Sequence, residues 1–426
     1  MAPRFPKYVP LPLFGSLDAL HQLTYKKVKL PPYFADYGLP NTALNDFKMA
    51  AAFLYTYRGS NETFKSYRSE IERLLQWASF ICEKSLTKLT REDIEAFLHF
   101  CQNPPKHWIV DAHVWRIRDG KPNPKWRPFV LPRIIKKFPH EIQENPEKAK
   151  YFLSESSTRN IFCVLSSFYT YLVEEDYARL NPVARIRQKS KYLRKYQTKR
   201  QVKRLSSLQW RYVLEAAELM ARNNPEVHER TLFVLSALFC MYLRISELGA
   251  SDRWVPQMNN FFKDRYGHWW FKTVGKGNKE RDICVSDDML HALRRYRRHL
   301  CLSDYPAPYE TTPLVPKHRG GRGPIRGTRH IRKLVQGCFD QAMERLLKDG
   351  LREESDALKA VTVHWLRHTG ISEDVKIRPR EHVRDDAGHS SSAITDRYID
   401  IELQERHASA RNKRIKFGDE EAQSVA

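Results

Sequence analysis

Four short segments in the second half of the chain carry residue types that could act on a phosphodiester. They read Leu243-Arg-Ile-Ser-Glu-Leu, Gly275-Lys-Gly-Asn-Lys, His364-Trp-Leu-Arg-His-Thr and Gly388-His-Ser-Ser-Ser-Ala-Ile-Thr-Asp-Arg-Tyr398. Each segment alone has a simple structural explanation, because an Arg in a helix is commonly a surface charge and a lone Tyr commonly packs. Together they offer guanidinium groups that hold phosphate oxygens without losing a proton, a Lys that can donate one, and a Tyr hydroxyl that can attack.

Taken in order, the four segments resemble the signature of the tyrosine recombinases of the phage-integrase type. The catalytic domain of that family presents an Arg, a hairpin Lys, a His-x-x-Arg, a Gly-His and a nucleophilic Tyr. Tyr398 follows His389 by nine residues, across a run rich in Ser and Thr, so the resemblance implies that Tyr398 is the nucleophile. The match covers about residues 207–401, and the helical segment before it resembles, more weakly, the family's core-binding domain.

The resemblance gives the basic residues distinct roles. Attack on a DNA phosphodiester places extra negative charge on the non-bridging oxygens, which Arg244 and Arg367 are expected to hold. The leaving 5′ oxygen must gain a proton, and Lys276 on the hairpin is expected to donate it, with Lys279 as the alternative. Glu247 lies three residues after Arg244, where it either orients that guanidinium or forms an ordinary pair on a helix surface.

His364 and His389 complete the set that the resemblance implies. They either donate to the phosphate or accept the proton that leaves Tyr398, and the sequence leaves open which does which. Because the pKa of a Tyr hydroxyl is about 10, Tyr398 needs cationic neighbours or a base before it attacks well. His364 and His368 have the i, i+4 spacing of a zinc motif, but Trp365 stands where H-E-x-x-H has Glu, so no metal is expected.

No cofactor is expected either. A phosphotyrosine ester keeps the bond energy of the phosphodiester that it replaces, so strands can be resealed without ATP. The chain has no G-x-x-x-x-G-K-[ST] run that would cradle a nucleotide. The seven cysteines are scattered singly, without a C-x-x-C pair, which argues against a zinc site and against a disulfide framework.

The composition predicts a polyanionic partner. The 426 residues include 73 Lys and Arg against 50 Asp and Glu, which gives a formal charge of +23. Double-stranded DNA is favoured over a membrane, because the longest apolar stretch, near Thr231–Leu243, is too short to span a bilayer. The N-terminus lacks the features of a secretory signal, so a cytoplasmic location is expected.

The length predicts at least two domains. We expect a mainly α-helical protein with a small β-hairpin, in which a helical DNA-binding domain and an α+β catalytic domain close around duplex DNA as a clamp. The expected boundaries are an N-terminal arm at 1–44, a helical domain at 45–187 with an insertion at about 104–146, a basic linker at 188–206, a catalytic domain at 207–401 and a C-terminal tail at 402–426.

Local patterns predict several elements of these domains. Thr90, followed by acidic residues, is a capping residue that starts a helix. Apolar residues at helical spacing predict further helices, and two short strands with turn-forming residues between them predict the hairpin. The predicted helices cover 157–173, 207–221 and 231–249, and the predicted strands cover 268–274 and 281–285.

A basic segment joins the two expected domains. Between Tyr177 and Leu214 the chain has twelve Lys or Arg and no acidic residue. The segment is either a solvated hinge or a strap that neutralises DNA phosphates and releases counterions, and it can be both if it orders on DNA. The candidate phosphate contacts are Lys189, Lys191, Arg194, Lys195, Lys199, Arg200, Lys203 and Arg204.

Two stretches fall outside the usual pattern of the family. The insertion carries Trp108, Trp115 and Trp126 among basic residues. These rings either stack on bases or fill a small core, and the core is the favoured interpretation. The stretch 375–386 carries more charge than the family usually shows there, which raises a question about local packing rather than about the catalytic set.

The resemblance implies site-specific recombination, that is, integration, excision or resolution of a mobile element. It implies a tetramer that joins two DNA sites through a four-way junction, alone or with a second recombinase or an accessory DNA-bending protein, and a tail that docks on a neighbouring protomer. A type IB topoisomerase uses similar chemistry as a monomer, but a Gly-His so close to Tyr398 favours a recombinase. The intact catalytic set argues against a DNA-binding protein that keeps only the fold, and the lack of clustered carboxylates argues against a metal nuclease.

Overall fold

The computed structural model describes residues 8–20, 31, 41–131, 151–187, 203–275, 277–317, 323–398 and 411. The chain divides into two compact units, Met1–Thr198 and Lys199–Ala426. Helices make up most of the described part, and the sheets are short, which is the mainly helical composition that the sequence predicts.

The first unit is built from helices. Their bounds are Asn41–Thr56 (α1), Asn61–Trp77 (α2), Arg91–Gln102 (α3), Glu155–Glu174 (α4) and Ala184–Arg187 (α5). The hydroxyl of Thr90 accepts a hydrogen bond from the backbone of Asp93 while the Asp93 carboxylate accepts one from the backbone of Thr90, so the predicted start of α3 is confirmed. Helix α4 contains the predicted helix over 157–173 and extends it at both ends.

Residues 8–20 pack into the core of the first unit instead of forming a separate arm. Their buried apolar side chains are those of Tyr8, Leu13, Phe14 and Leu20. Glu72, which is fully buried, accepts hydrogen bonds from the backbone of Leu13 and Phe14 and pairs with Arg116. These bonds satisfy backbone groups of Leu13 and Phe14, which lie before the helical turn at 17–20 in a part of the segment without regular structure. An irregular run of apolar residues gives no periodic signal, so the sequence did not predict this packing.

The described part of the predicted insertion forms two small sheets. Strand β1 (Ile109–Val110) pairs in parallel with β4 (Phe129–Val130), and β2 (Ile117–Arg118) pairs antiparallel with β3 (Lys121–Pro122). Trp108 is fully buried against aromatic rings of the core, and Trp126 is buried beneath the guanidinium of Arg116. The core interpretation is therefore confirmed for these two rings, whereas Trp115 is 77% exposed.

The second unit surrounds a small sheet with helices. The helices are Ser207–Asn223 (α6), Pro225–Cys240 (α7), Ile245–Leu248 (α8), Asp287–His299 (α9), Thr328–Lys348 (α10), Arg352–Leu358 (α11), Val363–Asp374 (α12), Arg380–Ala387 (α13) and Ser392–Thr395 (α14), and the strands are Phe261–Lys263 (β5), Trp269–Val274 (β6) and Glu280–Cys284 (β7). The predicted hairpin is confirmed, with Val274 opposite Glu280. Strand β5, which pairs antiparallel with β6, was not predicted because its three residues are too short to show alternation.

The expected helix over 231–249 is wrong, because the chain breaks between α7 and α8. Helix α7 ends at Cys240, Tyr242 adopts a left-handed φ of 49°, and Arg244 caps the start of α8 in an extended conformation. The stretch before the break is apolar on every face, so its periodicity cannot show where the helix ends. Helix α12 packs closely against this region, since a Cβ at Gly370 would collide with the carbonyl oxygen of Phe239.

Candidate active site

Arg244 and Glu247 meet at the start of α8. The backbone N–H of Arg244 donates to Oε2 of Glu247 at 2.8 Å, and Nη1 of Arg244 donates to Oε1 at 3.1 Å. Glu247 is almost fully buried, whereas the side chain of Arg244 is 27% exposed. The exposed part of the Arg244 guanidinium can therefore contact a ligand, while the buried Glu247 carboxylate fixes the orientation of the guanidinium.

A second arginine completes the pairing of Glu247. Arg281, on β7, donates from Nη1 to Oε1 at 2.9 Å and from Nη2 to Oε2 at 2.8 Å. Burial raises the pKa of Glu247, but the hydrogen bonds and charge of Arg281, together with Arg244, outweigh it and leave that pKa below its ordinary value. The carboxylate is thus charged between two guanidinium groups. The sequence did not identify Arg281, although it lies only two residues after Lys279 in the hairpin.

Arg367 lies deeper, on α12, and is 2% exposed. Its Nη1 donates to the carbonyl oxygen of Tyr242, in the break between α7 and α8, and its Nη2 donates to that of Ala387 at 2.5 Å. Burial, with the charge of Arg244 next in size, lowers the pKa of Arg367 to about 9. The side chain therefore remains charged at neutral pH, and the two backbone carbonyls fix its plane.

Tyr398 ends the described site on a short 3₁₀ turn, Asp396–Tyr398, and is 7% exposed. The rings of His368 and His389 stack on it, with centroids 5.1 Å and 5.6 Å away. His364 lies on the same face of α12 as His368, with ring centroids 4.3 Å apart. The phenol thus lies between the rings of His368 and His389, and His364 contacts it only through His368. The sequence considered His368 only as a zinc ligand.

The environment of the three imidazoles disfavours their protonation. Desolvation and the guanidinium charges of Arg367 and Arg244 lower the pKa of His389 to about 4. Desolvation, followed by His364, lowers the pKa of His368 to about 4, and desolvation and Arg367 also lower that of His364. The rings that contact Tyr398 are therefore neutral at pH 7.

The turn at Gly388 brings these groups together. Helix α13 ends there because Gly388 adopts a left-handed φ of 62°, and its carbonyl oxygen accepts a hydrogen bond from Nη2 of Arg244 at 3.5 Å. The next residue, His389, is oriented by a hydrogen bond of 2.9 Å between its Nδ1 and Oγ1 of Thr395. One turn thereby contacts Arg244 through its backbone and presents an imidazole to Tyr398.

The charged stretch 375–386 has a structural explanation. Nη2 of Arg378 donates to Oδ2 of Asp386 at 2.6 Å, and Nη1 donates to the hydroxyl of Tyr242 at 2.9 Å and to Asp374 at 3.1 Å. Asp386, which is 5% exposed, also accepts a hydrogen bond from the backbone of Cys284 on β7 at 3.2 Å. These charges form a partly buried network that connects α12, α13 and the hairpin.

The predicted hairpin lysines are described only in part. The N–H of Gly275 donates to the carbonyl oxygen of Lys279 at 2.8 Å, and Gly277 and Asn278 have positive φ, which closes a tight turn. Lys279 is exposed on this turn, and Lys276 lies outside the described residues.

The predicted phosphate contacts of the basic linker are also described only in part. Lys203 is exposed, and Arg204 lies 3.8 Å from the carboxylate of Glu373. The remaining candidates, Lys189, Lys191, Arg194, Lys195, Lys199 and Arg200, lie outside the described residues.

The described residues contain neither a metal-binding cluster nor a membrane-spanning helix. No cluster of three or more His, Cys, Asp or Glu that could hold a metal ion occurs among them. Within the same residues, no helix is long and apolar enough to cross a membrane.

Comparison with known proteins finds recombinases among the matches. The chain is similar to the tyrosine recombinase XerD of Rickettsia prowazekii (strain Madrid E), with 30% identity over 132 residues, which is 31% of this chain and 39% of that protein. Its fold is similar to that of the XerH site-specific recombinase bound to palindromic difH substrate in a post-cleavage complex, with a TM-score of 0.51, 13% identity and coverage of 89% and 93% of the two chains. A lambda integrase dimer bound to a COC′ core site gives a TM-score of 0.49 at 13% identity, over 94% of this chain and 88% of that one. No family model matches the chain.

Proposed function

We propose that the chain is a tyrosine recombinase, that is, a site-specific recombinase that cuts and rejoins DNA strands through a covalent bond between Tyr398 and a 3′ phosphate. The observation that carries this proposal is the position of the Tyr398 ring, which stacks on His389 and His368. The turn that bears His389 also contacts Arg244 through Gly388. Nucleophile, proton acceptors and phosphate-binding cation therefore lie within one site.

Cleavage begins when the Tyr398 oxygen attacks the phosphorus. The phenol loses its proton to a neutral imidazole, His389 or His368, as the new bond forms between oxygen and phosphorus. Arg244 and Arg367 hold the non-bridging oxygens, where negative charge develops. Arg367 donates one N–H from each Nη to a carbonyl, so it is already fixed in place before DNA binds.

Departure of the DNA strand completes the first half of the reaction. The bond between phosphorus and the 5′ oxygen breaks, and that oxygen takes a proton from Lys276, or from Lys279 on the same turn. Attack by the 5′ hydroxyl of another strand on the phosphotyrosine reverses these steps and restores the phenol. Because the bond energy is conserved, the cycle consumes no nucleotide.

The partner that we propose is double-stranded DNA carrying specific recombination sites. The formal charge of +23 favours a polyanion, and the exposed Lys203 begins the described part of the second unit on the predicted basic linker. Integration, excision or resolution of a mobile element requires two sites, so we propose a tetramer that joins two duplexes. A second recombinase or an accessory DNA-bending protein is compatible with this assembly.

The covalent intermediate can be detected directly. Wild type and Tyr398→Phe are incubated in EDTA with nicked duplexes from the DNA that flanks the gene, and a denaturing gel is used to look for protein joined to a 3′ phosphate. We expect the adduct with wild type and none with Tyr398→Phe. Tyr309→Phe, at a tyrosine that is 92% exposed, should behave as wild type. Tight binding of that DNA by wild type without any adduct would favour a protein that only binds DNA.

A further inference from the structure

We propose that Arg281 is a positioning residue for strand cleavage, a role that rests on the proposed function. Arg281 comes from the hairpin strand β7, and its side chain is 10% exposed. It donates to both carboxylate oxygens of Glu247, at 2.9 Å and 2.8 Å. Glu247 in turn holds both the backbone and the guanidinium of Arg244. Arg281 therefore acts on the phosphate through Arg244 and does not itself contact the DNA.

The same side chain holds the turn that precedes His389. Its Nε donates to the carbonyl oxygen of Asp386 at 3.0 Å, two residues before Gly388. The carbonyl of Gly388 accepts from Arg244 at 3.5 Å. A single guanidinium thus connects the hairpin strand, the carboxylate behind Arg244 and the end of α13. Lysine could not replace it, because an ammonium cannot form this planar, bidentate arrangement.

Two glycines leave the space that Arg281 occupies. A Cβ at Gly388 would lie 2.9 Å from Cδ of Arg281, and a Cβ at Gly275 would lie 2.8 Å from its Nη1. Gly275 has an ordinary φ, so its small size rather than its backbone conformation matters at that position. Both residues that flank the Arg281 side chain are therefore glycines that leave room for it. This fit is independent support for a positioning role.

Loss of Arg281 changes the partner of a buried charge. Glu247 would keep only Arg244, and the Arg244 guanidinium would turn toward both carboxylate oxygens and away from the phosphate. The effect should appear in the chemical step, because a displacement of about 1 Å in a catalytic group can cost about 100-fold in rate. DNA affinity should change little, since Arg281 contacts protein groups only.

The test compares adduct formation in single turnovers at saturating DNA. We expect Arg281→Ala to form the phosphotyrosine adduct about 100-fold more slowly than wild type, with Arg281→Lys between the two. A substrate with a methylphosphonate at the scissile position lacks one charged oxygen and needs less help from Arg244. On that substrate the deficit of Arg281→Ala should shrink by about tenfold or more.

The control is Arg295→Ala. Arg295 pairs with Glu229 at 2.6 Å, away from the contacts described above, and its loss should leave both rates unchanged. Equal deficits on the two substrates would overturn the positioning role, because a loosened fold slows both alike. A wild-type rate for Arg281→Ala would overturn it too. If Arg281→Ala does not fold, Arg281→Lys carries the same comparison. Absence of any wild-type adduct would instead count against the proposed function.

Discussion

The ring of Tyr398 and the imidazole of His389 lie nearly parallel, with 15° between their planes and 5.6 Å between their centroids. The pKa of His389 is lowered to about 4, so the imidazole is neutral when the phenol must lose its proton. Its Nδ1 shares a hydrogen bond of 2.9 Å with Oγ1 of Thr395, and when Nδ1 is the donor in that bond, Nε2 is the nitrogen that can accept a proton. We therefore favour His389 as a proton acceptor, a choice that the sequence left open.

Replacement of His389 tests this assignment. His389→Asn should slow adduct formation by about 10²-fold to 10⁴-fold, because general base catalysis contributes about that much. His382→Asn, at an exposed position on α13, is the matched control and should retain the wild-type rate. If His389→Asn reacts like wild type while His368→Asn is slow, His368 is the acceptor instead.

The buried imidazoles also predict how stability depends on pH. An unfolded His titrates at about 6.5, whereas His368 and His389 titrate at about 4 in the folded protein. Between these values the unfolded chain binds more protons, so the free energy of unfolding should fall as the pH drops from about 6.5 to about 4. The contribution of the two neutral imidazoles to the free energy of unfolding is fully present above pH about 6.5 and is lost as the pH falls toward about 4.

Thermal unfolding at pH 7 and pH 4.5 measures this dependence. The loss of Tm in wild type should be larger than in the double variant His368→Asn/His389→Asn, since Asn does not titrate. The other titrating groups are common to both proteins, so their effects on Tm cancel in the comparison. An equal loss of Tm in the two proteins would show that the imidazoles are not kept neutral by the fold.

Gly388 should tolerate no side chain. Gly388→Ala places a Cβ on a backbone with φ of 62° and 2.9 Å from Cδ of Arg281. The left-handed backbone alone should cost about 1–2 kcal/mol in the free energy of unfolding, measured by urea denaturation. Gly323→Ala, where an added Cβ meets nothing within 4 Å, is the control and should be nearly neutral. Wild-type stability of Gly388→Ala would contradict the left-handed turn.

The network around Asp386 should matter for stability more than the surface pair beside it. Arg378→Ala leaves Asp386, which is 5% exposed, without its side-chain partner at 2.6 Å. Because Arg378 is 29% exposed, the cost should lie below the roughly 3 kcal/mol of a fully buried pair. Arg384→Ala, on the helix that carries Asp386, removes only exposed contacts with Asp385 and Ser392 and should change stability less. A double-mutant cycle with Asp386→Ala measures the coupling, and additive effects would contradict the network.

Parts of the fold that depend on neighbouring residues were predictable, and parts that depend on distant ones were not. The Thr90 cap and the hairpin follow from local residue types, so the sequence predicted both. The break at Tyr242 did not follow, because its carbonyl is satisfied by Arg367, 125 residues later. Arg281 was missed for the same reason, since its partner Glu247 lies 34 residues away and only the folded chain brings them together.

The two hairpin lysines can be separated by the chemistry of the leaving group. A 5′ bridging sulfur leaves as a thiolate without needing a proton, so it makes the general acid dispensable. Lys276→Ala should slow cleavage of the normal substrate by about 10²-fold or more and should recover on the sulfur substrate. Lys279→Ala, at an exposed position, should show neither the full defect nor the recovery. If only Lys279→Ala recovers its cleavage rate on the sulfur substrate, Lys279 is the proton donor. If Lys276→Ala remains slow on the sulfur substrate, Lys276 acts on the phosphate instead.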